Sequence, residues 1–238
     1  MEHLKELRHR LIVSFVALSL AGVIAYIFYN AILKVLVSPL CQVDPKNCSL
    51  AALSPLDGLS IRVKLALYGG MILSSPVWTY ELFKFITPGL TKREKRLTLP
   101  LVISAVVFFA LGAFVAYESY PHALSFLNSV GGKSIKPTYT ANNYVNLMLA
   151  LMGIFGASFE FPVILVALEI MGVIKPETLS KNRKWALIGV TIAGGVLTPS
   201  SDPISMFALA VPLYIFYELA IVVGKIFKLK AKNSKAVV

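Results

Sequence analysis

Residues 147–170 read LMLALMGIFGASFEFPVILVALEI, an apolar run with a carboxylic acid, Glu160, lodged inside it. A run of this length predicts a membrane-spanning helix, because about 20 residues rising roughly 1.5 Å each cross a hydrocarbon core about 30 Å thick. An acid at that depth costs on the order of 2.5–3.5 kcal/mol on insertion scales, so Glu160 must be neutralised, paired or turned to a wet cavity inside the protein. Pro162 cannot donate to the carbonyl of Ser158 and adds a second polar feature to the same stretch. One reading is a kinked helix whose acid a neighbouring helix satisfies. The other is a working intramembrane site, and it is preferred because acids inside membranes usually mark function.

Outward from that run the chain repeats its character. Of 238 residues 57% are hydrophobic and only 15% are charged, too apolar for an ordinary soluble domain. The expected fold is an all-α membrane protein with six transmembrane helices at about 11–36, 61–85, 97–120, 144–171, 185–198 and 204–223, a single domain over 1–225, and a basic tail over 226–238. The first run spans and lacks a small-residue cleavage site, so it is expected to stay as the first helix. Ahead of it, Leu4, Leu7 and Leu11 recur at helical spacing among charged residues and predict a helix along the membrane surface.

Residues 37–60 are expected to form a loop, punctuated by Pro39, Pro45, Pro55 and Gly58, and Pro76 is expected to kink the second helix. The last two helices are expected to be short. Residues 185–197 make roughly 20 Å of helix, and residues 204–217 run only as far as Glu218. Local membrane thinning would accommodate both. Between them Ser201 or Asp202 can cap the last helix, with Pro203 at its first position. Small residues four apart, Gly153 with Ala157 and Ala66 with Gly70, permit close helix contacts. No internal repeat is evident.

Lys and Arg set the orientation. The amino end, the loops after helices 2 and 4 and the tail hold 17 of the 23, and the opposite side holds 6, which predicts both termini in the cytoplasm. The net charge of +11 is then an orientation signal and an attraction to anionic lipid, and no nucleic acid is required. Cys41 and Cys48 share an outer loop, where a disulfide can form if the compartment is oxidising.

Enzymatic constellations are absent from the pattern. His3, His9 and His122 do not make a His-Glu-x-x-His metal site, no glycine-rich nucleotide loop occurs, and the aspartates lie in predicted outer loops. No metal, cofactor or catalytic residue is expected. What stands out is a pair of acids on a cationic inner face, Glu6 and Glu94, the latter within Lys92-Arg93-Glu94-Lys95-Arg96. Carboxylates accept guanidinium in a two-pronged, charge-assisted geometry. The plainer alternatives are an i to i+4 pair of Glu6 with Arg10 and a solvated Glu94.

Several motifs follow one another in order: His3-Leu4-x-Glu6-Leu7-Arg8-x-Arg10-Leu11, Ser38-Pro39-Leu40, Phe85-x-x-Pro88-Gly89-Leu90 with Glu94-Lys95-Arg96, Ser158-Phe159-Glu160-x-Pro162, and Thr198-Pro199 before Asp202-Pro203. Together they resemble the TatC family, receptor subunits of the twin-arginine protein translocase, along essentially the whole chain. Two serines stand between Pro199 and Asp202 where many members carry a single proline. The resemblance implies a cupped bundle in the cytoplasmic (inner) membrane that binds twin-arginine signal peptides and helps export folded proteins. It implies TatA- and TatB-type single-span partners, self-association, and transport driven by the proton gradient without nucleotide. By position, Glu6 and Glu94 look like the acids that meet the arginine pair, with His3, Leu4, Arg8, Phe85 and Lys92 around them. Glu160 resembles the family's intramembrane acid on the concave face, and Pro39 and Asp202 resemble structural positions of the external loops. Two other classes compete: an ion-coupled small-molecule carrier using Glu160, and a passive scaffold in which Glu6 and Glu94 are mere surface charges. Carriers of the first kind often carry internal repeats, which are not seen here.

Overall fold

The computed structural model describes residues 2–45, 48–86, 98–131, 138–199 and 202–236. Among these residues the chain is helical throughout, in the order α1 (Glu2–Ile27), α2 (Tyr29–Val43), α3 (Asp57–Leu73), α4 (Ser75–Ile86), α5 (Thr98–Val130), α6 (Ala141–Ile170), α7 (Pro176–Lys181), α8 (Arg183–Leu197) and α9 (Pro203–Ala236). The only extended pairing among them is an isolated bridge between Ala51 and Thr140. Four helices, α1, α5, α6 and α9, are long and apolar enough to cross a membrane. Large apolar side chains such as Leu11, Phe15, Leu20 and Ile27 on α1 lie more than half exposed. Only a lipid surround makes that arrangement stable.

The first apolar run is two helices in tandem, α1 ending at Ile27 and α2 restarting at Tyr29 around a turn at Phe28. The amino-terminal residues are not a separate surface helix but the first turns of α1. The expected loop from residue 37 also begins later, since α2 continues to Val43 with Pro39 inside it. Pro39 leaves the carbonyl of Val35 without its helical donor. The hydroxyl of Tyr117 on α5 donates to that carbonyl at 3.1 Å, and Tyr144 of α6 donates to Leu36 O at 3.0 Å. The Tyr117 hydroxyl therefore supplies what the proline removes, and Tyr144 adds a second bond one residue on.

The second run breaks ahead of its proline. α3 stops at Leu73, Ser74 intervenes, and α4 restarts with Pro76 in its first turn, where a missing N–H costs little. Trp78 Nε1 donates to Met71 O at 3.1 Å across the break. α5 runs ten residues beyond its expected end at 120, because Tyr120, Ala123 and Leu124 are buried and keep that face packed.

The last helix also departs from expectation, for α9 is long and its apolar segment covers Pro203–Phe227. Glu218 does not interrupt it. Its carboxylate takes the Arg183 guanidinium at 2.8 Å and the Tyr214 hydroxyl at 3.2 Å, so the charge is satisfied along the helix flank. α8, with 15 residues, remains short at about 22 Å.

Glycines set the closest helix pairs. A Cβ on Gly70 of α3 would lie 2.9 Å from Gly22 Cα of α1, in line with the small-residue spacing of Ala66 and Gly70. A Cβ on Gly112 of α5 would lie 2.8 Å from the backbone carbon of Phe155 on α6. Backbones approach this closely where no side chain intervenes, and van der Waals packing then replaces the hydrophobic drive that lipid lacks. The central core joins Leu40, Leu65, Tyr120, Met148, Phe155 and Leu209 from five helices. Phe216 of α9 sits edge-on to both Phe108 and Phe159, at 4.7 and 5.3 Å between ring centres, and ties α9 to α5 and α6.

Candidate functional site

The first turns of α1 are held against α4 by one residue. Arg10 is buried, pairs with Glu6 one turn earlier, and donates from Nη1 to the carbonyl of Glu81 at 3.2 Å. The i to i+4 pair anticipated as the plainer role of Glu6 is therefore present. It does not seal the carboxylate, whose side chain keeps 39% exposure. A carboxylate offers about four lone-pair sites, so a second guanidinium can share it. Arg8 is exposed on the neighbouring face.

Arg10 also fixes where Glu6 stands relative to the next part of the chain. α4 ends at Ile86, eight residues before Glu94 in the sequence. His3 and Leu4 belong to α1 and Phe85 to the last turn of α4, with their side chains outside the described residues. Lys92 and Glu94 lie outside the described residues altogether. The structure thus brings the amino-terminal motif to the helix end that leads into the second motif.

Glu160 lies about two-thirds of the way along α6 and is 8% exposed, with Oε1 buried and no hydrogen-bond partner for that atom. It shares a helix face with Gly156, Val163 and Ala167. Val163 and Ala167 pack with Val102 and Ala105 of α5 and Phe83 of α4, and Gly156 receives the ring of Phe109. An unpaired carboxyl group at such a seam is costly unless a donor reaches it.

The sequence reading missed a second buried acid. Glu169 is 9% exposed, and neither carboxylate oxygen has a hydrogen-bond partner. Nine residues after Glu160 it faces the opposite side of α6, by the 100° advance per residue. It presses on α9, where a Cβ on Gly224 would come within 2.5 Å of Glu169 Cδ. Its position one residue from the helix end gives no local sign of burial, which only the tertiary contact with Gly224 reveals.

At the other end of the bundle Asp202 caps α9. Its Oδ1 accepts the Ser205 N–H at 2.7 Å with Pro203 at the first helical position. Asp202 is 1% exposed, and its Oδ2 and the Ser205 hydroxyl have no partner. Pro39 is buried in α2 beside the Tyr117 and Tyr144 hydroxyl contacts described above, and a disulfide joins Cys41 to Cys48 at a Cα separation of 4.8 Å. Among the described residues no group of three His, Cys, Asp or Glu side chains is placed to hold a metal ion.

A model of the family described as Sec-independent protein translocase protein (TatC) matches residues 2–212. The TatC protein of Aquifex aeolicus is 36% identical over 235 residues, covering 98% of this chain and 97% of that protein. The TatC protein of Frankia casuarinae is 35% identical over 234 residues, which is 94% of this chain but 64% of that longer protein. A crystal structure of the twin-arginine translocase receptor TatC superposes with a TM-score of 0.77 at 36% identity, covering 94% of this chain and 98% of that one.

Proposed function

The chain belongs to the TatC family, as a Sec-independent protein translocase protein, and from that premise we propose that it receives twin-arginine signal peptides at the inner mouth of a six-pass bundle. Six apolar passes, α1–α2, α3–α4, α5, α6, α8 and α9, with both termini in the cytoplasm agree with the Lys and Arg excess on that side. In this reading Glu6 and Glu94 take the two guanidinium groups, and His3, Leu4, Arg8, Phe85 and Lys92 form the surrounding surface. The observation that carries it is the Arg10 anchor, which pins Glu6 to α4 next to the start of the segment containing Glu94.

A cationic face repels an arginine pair unless acids are locally presented, so discrimination resides in the placement of these two carboxylates. Lysine lacks the planar fork and binds them less well. Glu160 is assigned to TatA- and TatB-type single-span partners or to the inserted peptide, whose polar groups would satisfy its buried oxygen. The protein acts by binding, with transport driven by the proton gradient. A small-solute carrier is not favoured, because the family match runs through nearly the entire chain.

The test is a titration of purified protein in detergent with a twin-arginine peptide and its two-lysine variant. Glu94→Gln and Glu6→Gln should each weaken the arginine peptide about 10- to 100-fold, the value of one charge-assisted bond of roughly 1.5–3 kcal/mol. Unchanged affinity in both variants removes the two acids from the site.

A further inference from the structure

Glu169 and Gly224 close one seam between α6 and α9. On α9 the seam is formed by Tyr217, Ala220 and Ile221, all buried, and on α6 by Leu165 with Val166 beside it. The same helix faces recur three or four residues on, which carries α9 to Gly224 and α6 to Glu169. An apolar stripe thus ends on an acid and a glycine. The acid is 9% exposed there, and neither of its oxygens has a hydrogen-bond partner.

Gly224 differs from the glycines that bring backbones together. A Cβ on Gly70 or Gly112 would strike backbone atoms of a neighbouring helix, at 2.9 and 2.8 Å. On Gly224 the three nearest atoms would all belong to the Glu169 carboxyl group, with Cδ at 2.5 Å. The space left by the missing side chain is filled by a carboxyl group and not by backbone.

None of the charged groups around the acid pairs with it. On α7, Glu177 is the group whose charge reaches it, and Lys175 and Lys181 are exposed. On α8, Arg183 is held by Glu218 of α9 at 2.8 Å. On α9, the Tyr217 hydroxyl donates to Leu179 O at 2.8 Å, and Lys225 is exposed. α5, on the Glu160 side of α6, has no charged residue from Thr98 to Tyr117.

A carboxylate with neither donor nor counter-ion is far less stable in such a place than a neutral carboxyl group. We propose that Glu169 and Gly224 form a proton-binding site, in which the neutral acid seats against Gly224 and holds α6 to α9, and the charged acid leaves the seat and loosens them. On ionisation the proton passes to water at the end of α6, one residue away, and the carboxylate turns out of the seam after it. The seam holds at low pH and opens as pH rises through the titration of the acid. The site is independent of the signal-peptide reading, because no residue assigned to the peptide takes part.

The test uses full-length protein in detergent, with Cys41→Ser and Cys48→Ser removing the native thiols. Infrared difference spectra between this protein and its Glu169→Gln variant isolate the carbonyl band of one protonated carboxyl group, which should fade between about pH 5 and about pH 9. Nitroxide labels at Val173→Cys, just after α6, and Ile226→Cys on α9, both exposed, report the seam by pulsed electron resonance. Their separation should grow or spread by roughly 2–5 Å over the same pH range. Glu169→Gln should keep the short separation at every pH. Gly224→Ala, whose Cβ displaces the carboxyl group, should give the longer one at every pH, and adding Glu169→Ala to that variant should restore the short one. Absence of the infrared band overturns the proposal, as does a separation that pH leaves unchanged or changes equally in Glu169→Gln. A Gly224→Ala variant that keeps the wild-type response to pH overturns it as well.

Discussion

Arg10 neutralises Glu6 and at the same time positions it, and these two effects predict opposite outcomes when the residue is changed. If neutralisation dominated, loss of the guanidinium would free Glu6 for an incoming arginine and tighten peptide binding. The buried fork spans Glu6 and the Glu81 carbonyl, a pair of contacts that the compact lysine ammonium cannot reproduce. Arg10→Lys should therefore weaken a twin-arginine peptide about threefold to tenfold, by loosening α1 from α4. Tighter binding by titration would show that Arg10 merely competes for the acid. The two acids of α6 separate in the same way. Glu160→Ala should leave peptide affinity within about twofold while impairing partner assembly and export, since the α6 face that carries Glu160 meets α4 at Phe83 and not at Glu81, where Arg10 is anchored. Normal export in that variant counts against an assigned role for the acid.

Helix lengths and breaks show where local sequence stops being sufficient. The apolar runs were legible because about 20 such residues in a row admit few other structures, and Asp202 as a cap was legible because the cap and its proline are adjacent in the chain. Pro39 was not legible as a helical residue. Its tolerance depends on Tyr117, 78 positions away, whose hydroxyl takes the orphaned Val35 carbonyl. Glu218 was read as a terminator for the same reason, its partner Arg183 being 35 positions distant. Glu6 was legible as an acid out of place, but its Arg10 anchor on the Glu81 carbonyl needed α4 to be placed first. If Tyr117 supports the proline, Tyr117→Phe should lower stability by about 0.5–1.5 kcal/mol, and Pro39→Ala, which restores the missing N–H, should offset most of that loss. Thermal unfolding of the single and double variants in detergent checks this. Equal losses in the presence and absence of Pro39 would show that the hydroxyl does not answer the proline. At the α5–α6 contact, Gly112→Leu should cost more, about 1–3 kcal/mol or loss of folding, because the new side chain meets the Phe155 backbone itself.

For the molecule as a whole, the arrangement of charge and sulfur makes one demand on the membrane. On the proposed function, the end holding Glu6, Arg10 and the helix leading to Glu94 must face the compartment that supplies signal peptides, and the Cys41–Cys48 bridge must face one that keeps it oxidised. α1 alone, at 26 residues or about 39 Å, separates these two ends by more than a hydrocarbon core. The Lys and Arg distribution gives the same polarity independently. In intact cells, a membrane-impermeant maleimide should therefore label Cys48 in a Cys41→Ser variant. With both cysteines replaced by serine, His9→Cys should be labelled only after lysis, His9 being exposed on α1. Labelling of both positions without lysis would mean that α1 and α2 do not cross, and the reverse pattern would put Glu6 and Glu94, the acids proposed to bind the peptide, on the wrong side of the membrane. Either result would leave Glu6 beyond the reach of a signal peptide made in the cytoplasm, whatever its affinity in detergent. A short disulfide loop contributes about 2–3 kcal/mol by restricting the unfolded chain, so the Cys41→Ser variant should also unfold at lower temperature only when prepared from an oxidising compartment.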